Sequence, residues 1–428
     1  MENFRKLGII EPILRVIKEE KFEKPSGIQE KAIPLVVAGK DVIGGAATGS
    51  GKTLVFGAAI IQFCEKGKGI QSLVLTPTRE LAEQVSKALK TFSRYKPLNI
   101  TAIYGGVAIL PQIHSLQNAN VVVGTPGRIL DHLQRRTIDL GKVKILVLDE
   151  ADRMLDMGFI DDVEKIIRCC PKERQTMLFS ATISKDIAYI AESYMKNPLE
   201  VEAESYVDPR KLRQIYYDVP ENMKFSLLVH LLKKEHAGLI MVFCNSRHAV
   251  DFVANNLNLN NIDATAIHGG FSQAKRTSTI SSFHAHKVHV LVCTDVAARG
   301  LDIPGVSHVY NFDIPKESKQ YIHRIGRTAR AGKEGIAVNM LTQRDYENFD
   351  RVLRDNDVEI KREEPPQFER IQIRWTPTPR RFGGRGPGGF SRGGNRGYGG
   401  QRDNRGHGGG RGHGGHSQGN KRNMSFRR

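Results

Sequence analysis

Short runs of β-branched and aliphatic residues, each ending in small or polar residues, recur along this chain, and stretches with helical spacing separate them. Between Asp41 and Ser180 the runs are DVIG, SLVLT, VVVGT, KILVLDE and TMLFS. The same grammar restarts after Leu199 with LIMVFCNS, ATAIHGG, HVLVCTD, SHVYNFD and GIAVNML. Apolar runs without alternation suit strands buried on both faces, and parallel strands need helical crossovers between them. The pattern predicts an α/β fold of two tandem domains, each a parallel sheet flanked by helices. EVEAESYVDPRKLRQ, residues 200–214, reads as the polar linker between them. Ligands of such sheets bind beyond the carboxyl ends of the strands, and in both halves the polar motifs fall there.

After about Glu364 the periodicity stops. Pro365, Pro366, Pro377 and Pro379 bracket a short extension, and beyond Arg380 the chain is glycine with arginine, as in GGRGPGGF and RGGNRGYGG. Such a segment buries too little apolar surface to offset its ordering entropy, so disorder is expected. The expected organisation is a first domain over 1–203, a linker over 204–213, a second domain over 214–362, an extension over 363–379 and a basic tail over 380–428.

Charge sharpens this picture. The chain of 428 residues carries a formal +18, of which the last 49 residues, with twelve Lys or Arg and one Asp, hold +11. A basic tail on a mildly basic body points to a polyanion, and nucleic acid is the commonest one. Phe382, Phe390, Tyr398 and Phe426 add stacking faces among the tail arginines. No apolar run approaches the roughly 18 residues that a spanning helix needs, and MENFRKLGII lacks a signal-peptide core. A soluble, cytoplasmic protein without membrane attachment is expected. Cys64, Cys169, Cys170, Cys244 and Cys293 form no C-x-x-C pair and read as reduced thiols. His284, His286 and His289 lack a fourth ligand nearby and read as no metal site.

The chemistry begins at AATGSGKT, Ala46 to Thr53, between the DVIG strand and a helical run. Glycines there let backbone N–H groups close around phosphate oxygens, Lys52 reaches the terminal phosphates, and the Thr53 hydroxyl can ligate Mg²⁺. Ala47, Thr48, Gly49, Ser50 and Gly51 complete the cradle. The loop departs from G-x-x-x-x-G-K-[ST] at Ala46, where the pattern has Gly. Its partner is KILVLDEAD, Lys144 to Asp152, in which an apolar strand delivers two adjacent carboxylates. Asp149 can hold the Mg²⁺ shell, and Glu150 can activate water against a γ-phosphate.

Asp149 to Asp152 reads DEAD, and with AATGSGKT it resembles the DEAD-box family of superfamily-two RNA helicases. The family's other motifs follow in order: PTRELAEQ from Pro77, TPGR from Thr125, SAT from Ser180, VFCNS from Val242, TDVAARGLD from Thr294 and HRIGRTAR from His323. The resemblance covers residues 2–362 and implies two RecA-like domains, ATP and Mg²⁺ as cofactors, and RNA as partner. KFEKPSGIQ, Lys21 to Gln29, is similar to the family's adenine-reading segment. It implies that Phe22 stacks on the base, that Gln29 bonds its N6/N7 edge, and that Phe4 is the upstream aromatic. This segment departs from the family at Lys21, where Gly is usual, and at Ser26 and Gly27, where Thr and Pro are usual.

By the same resemblance, Arg327 and Arg330 are arginine fingers that reach the ATP held by the first domain, and Asp302 contacts its ribose. Ser180 and Thr182 couple ATP to RNA. Arg79, Gly106, Thr125, Gly127 and Arg128 in the first domain and Ser246, Gly270 and Thr294 in the second hold RNA sugar and phosphate. In the family a helix beginning near Ile129 bends the strand so that a duplex cannot continue. The implied activity is local unwinding of short duplexes and remodelling of RNA–protein complexes by a monomer. An ATP-gated RNA clamp and a processive DNA translocase are the competing classes.

Overall fold

The computed structural model describes residues 2–45, 49–180, 184–202, 212–235, 238–298, 303, 305–329, 334–356 and 358–373. The basic tail, Trp375, and the expected site residues Ala47, Thr48, Thr182, Asp302 and Arg330 lie outside the described residues.

Fourteen described strands form two parallel sheets of seven, as expected for two RecA-like domains. The first comprises β1 (Val42–Gly45), β2 (Ser72–Leu75), β3 (Ile100–Ile103), β4 (Val121–Gly124), β5 (Ile145–Leu148), β6 (Gln175–Ser180) and β7 (Leu199–Glu202). Its order is β3-β4-β2-β5-β6-β1-β7. The second comprises β8 (Leu212–Asp218), β9 (Leu239–Phe243), β10 (Ala264–Ile267), β11 (Val290–Cys293), β12 (Val306–Asn311), β13 (Gly335–Leu341) and β14 (Lys361–Glu363). Its order, β10-β11-β9-β12-β13-β8-β14, is the first order with seven added to every number. Each strand of the second lobe therefore has a counterpart in the first.

Alternation along buried strands feeds a core on each face of the first sheet. In the first lobe Val74, Val123, Val147 and Phe179 pack against the helices Gly27–Val37, Lys52–Phe63 and Arg79–Phe92. Their neighbours Leu73, Leu75, Val122, Leu148 and Leu178 face the opposite layer with Ile129, Ile166 and Ile187. Complete burial of such side chains stabilises by roughly 1.5–3 kcal/mol each. Side chains tie down the amino ends of the strands. Asp41 accepts from the Thr176 and Lys196 amides, each at 2.7 Å, and Gln175 donates to the Val36 and Lys40 carbonyls. The carboxyl ends are left for motifs.

Four strands escape the apolar-run reading. β3 is only half-buried at its two middle positions, β8 mixes buried with half-buried and exposed positions, β7 is exposed at three of its four positions, and β14 is three residues long, so none presents a long buried apolar run. The stretch 200–214 accordingly gives its first three residues to β7 and its last three to β8. Past β14, Phe368, Ile371 and Ile373 pack on a second-lobe core that includes Phe225 and Val242, and the Ile371 amide donates to Ser226 Oγ at 3.0 Å. No described helix is long and apolar enough to cross a membrane.

Candidate nucleotide and nucleic-acid sites

The phosphate loop leaves β1 and enters the helix Lys52–Phe63 through Gly51, at φ 88°. A side chain there would be strained, and a Cβ would collide with the Gln29 amide. The reason is a close bond: Gln29 Nε2 donates to the Gly51 carbonyl at 3.0 Å, while its Oε1 accepts from the Ser26 amide at 3.0 Å. Ser26 Oγ donates to the Ser50 carbonyl at 2.8 Å. The segment expected to read adenine is thus bolted to the loop expected to hold phosphate.

Phe22 reaches its place through the end of the preceding helix, Glu11–Glu19. The Phe22 amide donates to the Ile17 carbonyl and the Lys21 amide to that of Lys18, with Lys21 at φ 57°. That pair of bonds closes a helix through a left-handed residue, a position that favours glycine. Phe22 remains 37% exposed and meets Phe92 edge-on. Phe4 differs from expectation: its ring is wholly buried in the first core, with no face open to a base.

β6 lies between β1 and β5, and it ends at Ser180, paired with Gly45. The phosphate loop and the acidic pair therefore emerge on either side of it. Lys52 Nζ lies 3.0 Å from Asp149 Oδ1, and both side chains are buried. Burial pulls the Lys52 ammonium down, but the carboxylates of Asp149, Glu150 and Asp152 outweigh it and hold it above its ordinary value. Burial likewise raises Asp149 by more than Lys52 lowers it. Both shifts report one condition: the buried site carries excess negative charge and holds protons tightly.

Glu150 sits at φ 53°, ψ 53°, opening the helix Ala151–Asp156, and pairs with Arg153 Nη1 at 2.6 Å. A left-handed glutamate is a strained conformation of the kind found at functional sites. From the second lobe, His323, Arg324, Arg327, Gln320 and Asp295 line a small pocket shared with Arg153. Burial, then the neighbouring Arg153, pulls His323 down to about 4 despite Asp152 and Glu150, so it is neutral near pH 7. Arg327 is buried, and its Nε donates to the His323 carbonyl at 3.3 Å. Arg324 is held inside its own lobe by a two-pronged bond to Asp295 at 2.6 and 2.7 Å and by Asn245 at 2.9 Å.

The expected nucleic-acid contacts emerge from the other half of each sheet. Arg79 follows β2, Gly106 follows β3, and Thr125, Gly127 and Arg128 follow β4. Ser246, Gly270 and Thr294 follow β9, β10 and β11, the counterparts of those three strands. Thr125 and Ser246 cap helices, and Gly127, Ser246 and Gly270 are exposed. The helix expected near Ile129 starts earlier, at Pro126, because Pro suits a first turn. Arg128 Nη2 donates to the Val107 carbonyl at 3.1 Å. The Gly270 N–H is already committed to His268 Nδ1 at 3.1 Å.

A second link joins the lobes here. Glu80, beside Arg79, forms an ion pair with Arg276, whose Nε lies 2.8 Å from Glu80 Oε1, and accepts a hydrogen bond from Gln273 Nε2 at 3.1 Å. PTRELAEQ contains Glu80, but nothing in its spacing names a partner nearly two hundred residues away.

Residues 26–190 match the DEAD/DEAH box helicase family, and residues 223–332 match the helicase conserved C-terminal domain. The chain is 45% identical over 373 residues to the DEAD-box ATP-dependent RNA helicase CshA of Geobacillus kaustophilus, covering 86% of this chain and 80% of that protein. It is 47% identical over 349 residues to the ATP-dependent RNA helicase CshA of Listeria monocytogenes, covering 81% and 67%. Its structure is similar to Dbp5 of S. cerevisiae bound to RNA and ADP BeF3, with a TM-score of 0.77 and 31% identity over 85% of this chain and 96% of that one. Two sheets of one topology, a phosphate loop facing DEAD across β6 and these relatives together place the chain in the DEAD-box family of ATP-dependent RNA helicases.

Proposed function

We propose that this helicase binds one RNA strand across both lobes, locally opens short duplexes and remodels RNA–protein complexes, with ATP binding and hydrolysis timing grip and release. The observation that carries this reading is the division of each sheet's carboxyl edge. The β1, β5 and β6 half bears the phosphate loop and acidic pair, while β2, β3 and β4, with their counterparts in the second lobe, bear the hydroxyls, glycines and arginines. Dbp5, similar in fold, is bound to RNA and a nucleotide complex.

Lys52 and the loop amides bind the phosphates, Gln29 and Phe22 orient the base, Glu150 takes the proton of the attacking water, and Arg327 and Arg330 neutralise charge on the γ-phosphate. Asp149, a buried carboxylate at the end of β5 beside Lys52, and the Thr53 hydroxyl are hard oxygen donors that fit Mg²⁺. When bound, the ion screens phosphate charge. Ser180, between the two motifs, and Thr182 transmit occupancy to the RNA face. The protein acts as a cytoplasmic monomer.

Strand displacement from a short RNA duplex tests this. ATP should release the strand, and Glu150→Gln should retain ATP and RNA while stopping turnover. RNA-stimulated hydrolysis with no strand release would instead establish an ATP-gated clamp.

A further inference from the structure

The two lobes repeat a local device as well as a topology. In the first, Thr78 caps the helix after β2 and Arg79 opens it, with Glu83 one turn on. After β3 the chain reads Ile103-Tyr104-Gly105-Gly106. The Tyr104 hydroxyl donates to the Glu83 carboxylate, and a Cβ on Gly106 would overlap the Arg79 guanidinium. In the second lobe Ser246 caps the helix after β9 and Arg247 opens it, with Asp251 one turn on. After β10 the chain reads Ile267-His268-Gly269-Gly270. His268 Nε2 lies 3.0 Å from Asp251 Oδ1, and a Cβ on Gly269 would come within 3.4 Å of the Arg247 guanidinium.

The two versions differ in how many polar ring-side atoms they offer. Tyrosine has a single polar group, and it is spent on Glu83. Histidine has a second nitrogen, and Nδ1 accepts the Gly270 N–H at 3.1 Å. Glycine suits that approach, because a Cβ on Gly270 would lie a tight 3.0 Å from the ring. A neutral imidazole offers one donor and one acceptor. An ionised Asp251 only accepts, so the proton sits on Nε2 and the lone pair on Nδ1 faces the amide. The Phe271 ring meets the same ring at a tilt, with centroids 4.3 Å apart, and the Lys275 ammonium lies 3.7 Å from the Phe271 centroid.

We propose that His268 is a positioning residue for RNA binding: Asp251 fixes its tautomer, and its free nitrogen holds the Gly269–Gly270 turn in the shape against which Arg247 and the RNA backbone rest. This rests on the RNA path proposed above.

The histidine's two bonds can be removed one at a time. His268→Gln keeps a donor for Asp251 and loses the acceptor for Gly270, whereas His268→Asn keeps an acceptor near the Nδ1 position and loses Asp251. Half-saturating RNA in the ATPase assay should rise about tenfold for His268→Gln, the worth of one hydrogen bond. It should rise no more than about threefold for His268→Asn, with the rate at saturating RNA kept in both. Asp251→Ala should resemble His268→Gln, and Asp251→Asn, which can still accept, should stay near the parent. Arg128→Ala and Thr294→Val probe the path itself. If these two raise half-saturating RNA while His268→Gln and Asp251→Ala do not, the positioning role is overturned and the path stands. Equal impairment of His268→Asn and His268→Gln would also overturn it. Should Arg128→Ala and Thr294→Val have no effect, the path fails, and the positioning role fails with it.

Discussion

Lys224 occupies in the second lobe the place that Lys52 occupies in the first. Each opens the helix after a counterpart strand, β8 or β1, and each is buried against an aspartate. Lys224 Nζ lies 2.9 Å from Asp345 Oδ2 and 3.9 Å from Asp313 Oδ1. Asp313 follows β12, as Asp149 follows β5. The resemblance ends with the surroundings. Residues 219–223, VPENM, contain no glycine, the Phe312 ring lies 5.2 Å from the ammonium, and Asp345 Oδ2 also accepts from the Thr342 amide and hydroxyl. The Lys224 site is closed by its own side chains, whereas a glycine-containing loop, GSG over residues 49–51, precedes Lys52.

The two lysines should therefore fail differently. Lys224→Ala strands buried carboxylates and should cost about 3–5 kcal/mol of stability, read as a lowered denaturation midpoint. Lys52→Ala should weaken ATP binding and lower that midpoint less, because Asp149 lies beside the one buried cation removed, whereas Lys224 faces both Asp345 and Asp313. Matching losses of stability in both would remove the distinction.

Glu80 gives a test of lobe joining that touches neither ligand. Truncating one partner of a largely buried charge pair costs about 2 kcal/mol or more, roughly 30-fold in the population of joined lobes. Glu80→Ala should depress RNA-stimulated hydrolysis by about that factor and leave ATP binding intact. The exchanged pair Glu80→Arg with Arg276→Glu should recover much of the loss. A parent-like rate in Glu80→Ala would make the contact incidental.

Buried strands and local motifs were legible in the sequence because each signal is contiguous: KILVLDEAD carries both the apolar run that makes β5 and the acids at its end. Edge strands such as β3 and β14 were not, since a half-exposed or three-residue strand has no apolar run to show. Arg276 and Gln273 on Glu80, and Arg324 on Asp295, were invisible because such pairs depend on how elements meet. Phe4 misled for the same reason, as aromatic spacing cannot tell a stacked ring from a buried one. The doublets IYGG and IHGG were visible as text, yet their equivalence needed the matching strand order.

Lys21 offers a prediction running against the usual cost of glycine. It stands in the left-handed region at φ 57° and closes a helix, and its side chain is exposed. Relief of roughly 1–2 kcal/mol of backbone strain should exceed the roughly 0.4–1 kcal/mol of added unfolded-state entropy. Lys21→Gly should thus stabilise the protein by about 0.5–1 kcal/mol, measured by chemical denaturation, and leave ATP binding unchanged. Destabilisation would mean the lysine side chain contributes contacts that outweigh the strain.

Composition makes the last prediction, for the segment 380–428 with its twelve cationic residues. If about six of them meet single-strand phosphates, each contributes about −0.7 to the slope of log affinity against log salt, giving a slope near −4. Between about 50 and 200 mM salt that weakens the segment's contribution roughly 300-fold. Its removal should reduce RNA affinity most at low salt and flatten the salt dependence. Catalysis should respond otherwise, because the last ATPase motif ends at Arg330 and HRIGRTAR stays in the shortened chain. The truncated protein should keep its maximal RNA-stimulated rate and need more RNA to reach it. RNA binding and ATPase rates of both lengths across a salt series check this. An unchanged slope would reduce the segment to a passive linker, and a collapsed maximal rate would place it within the catalytic machinery.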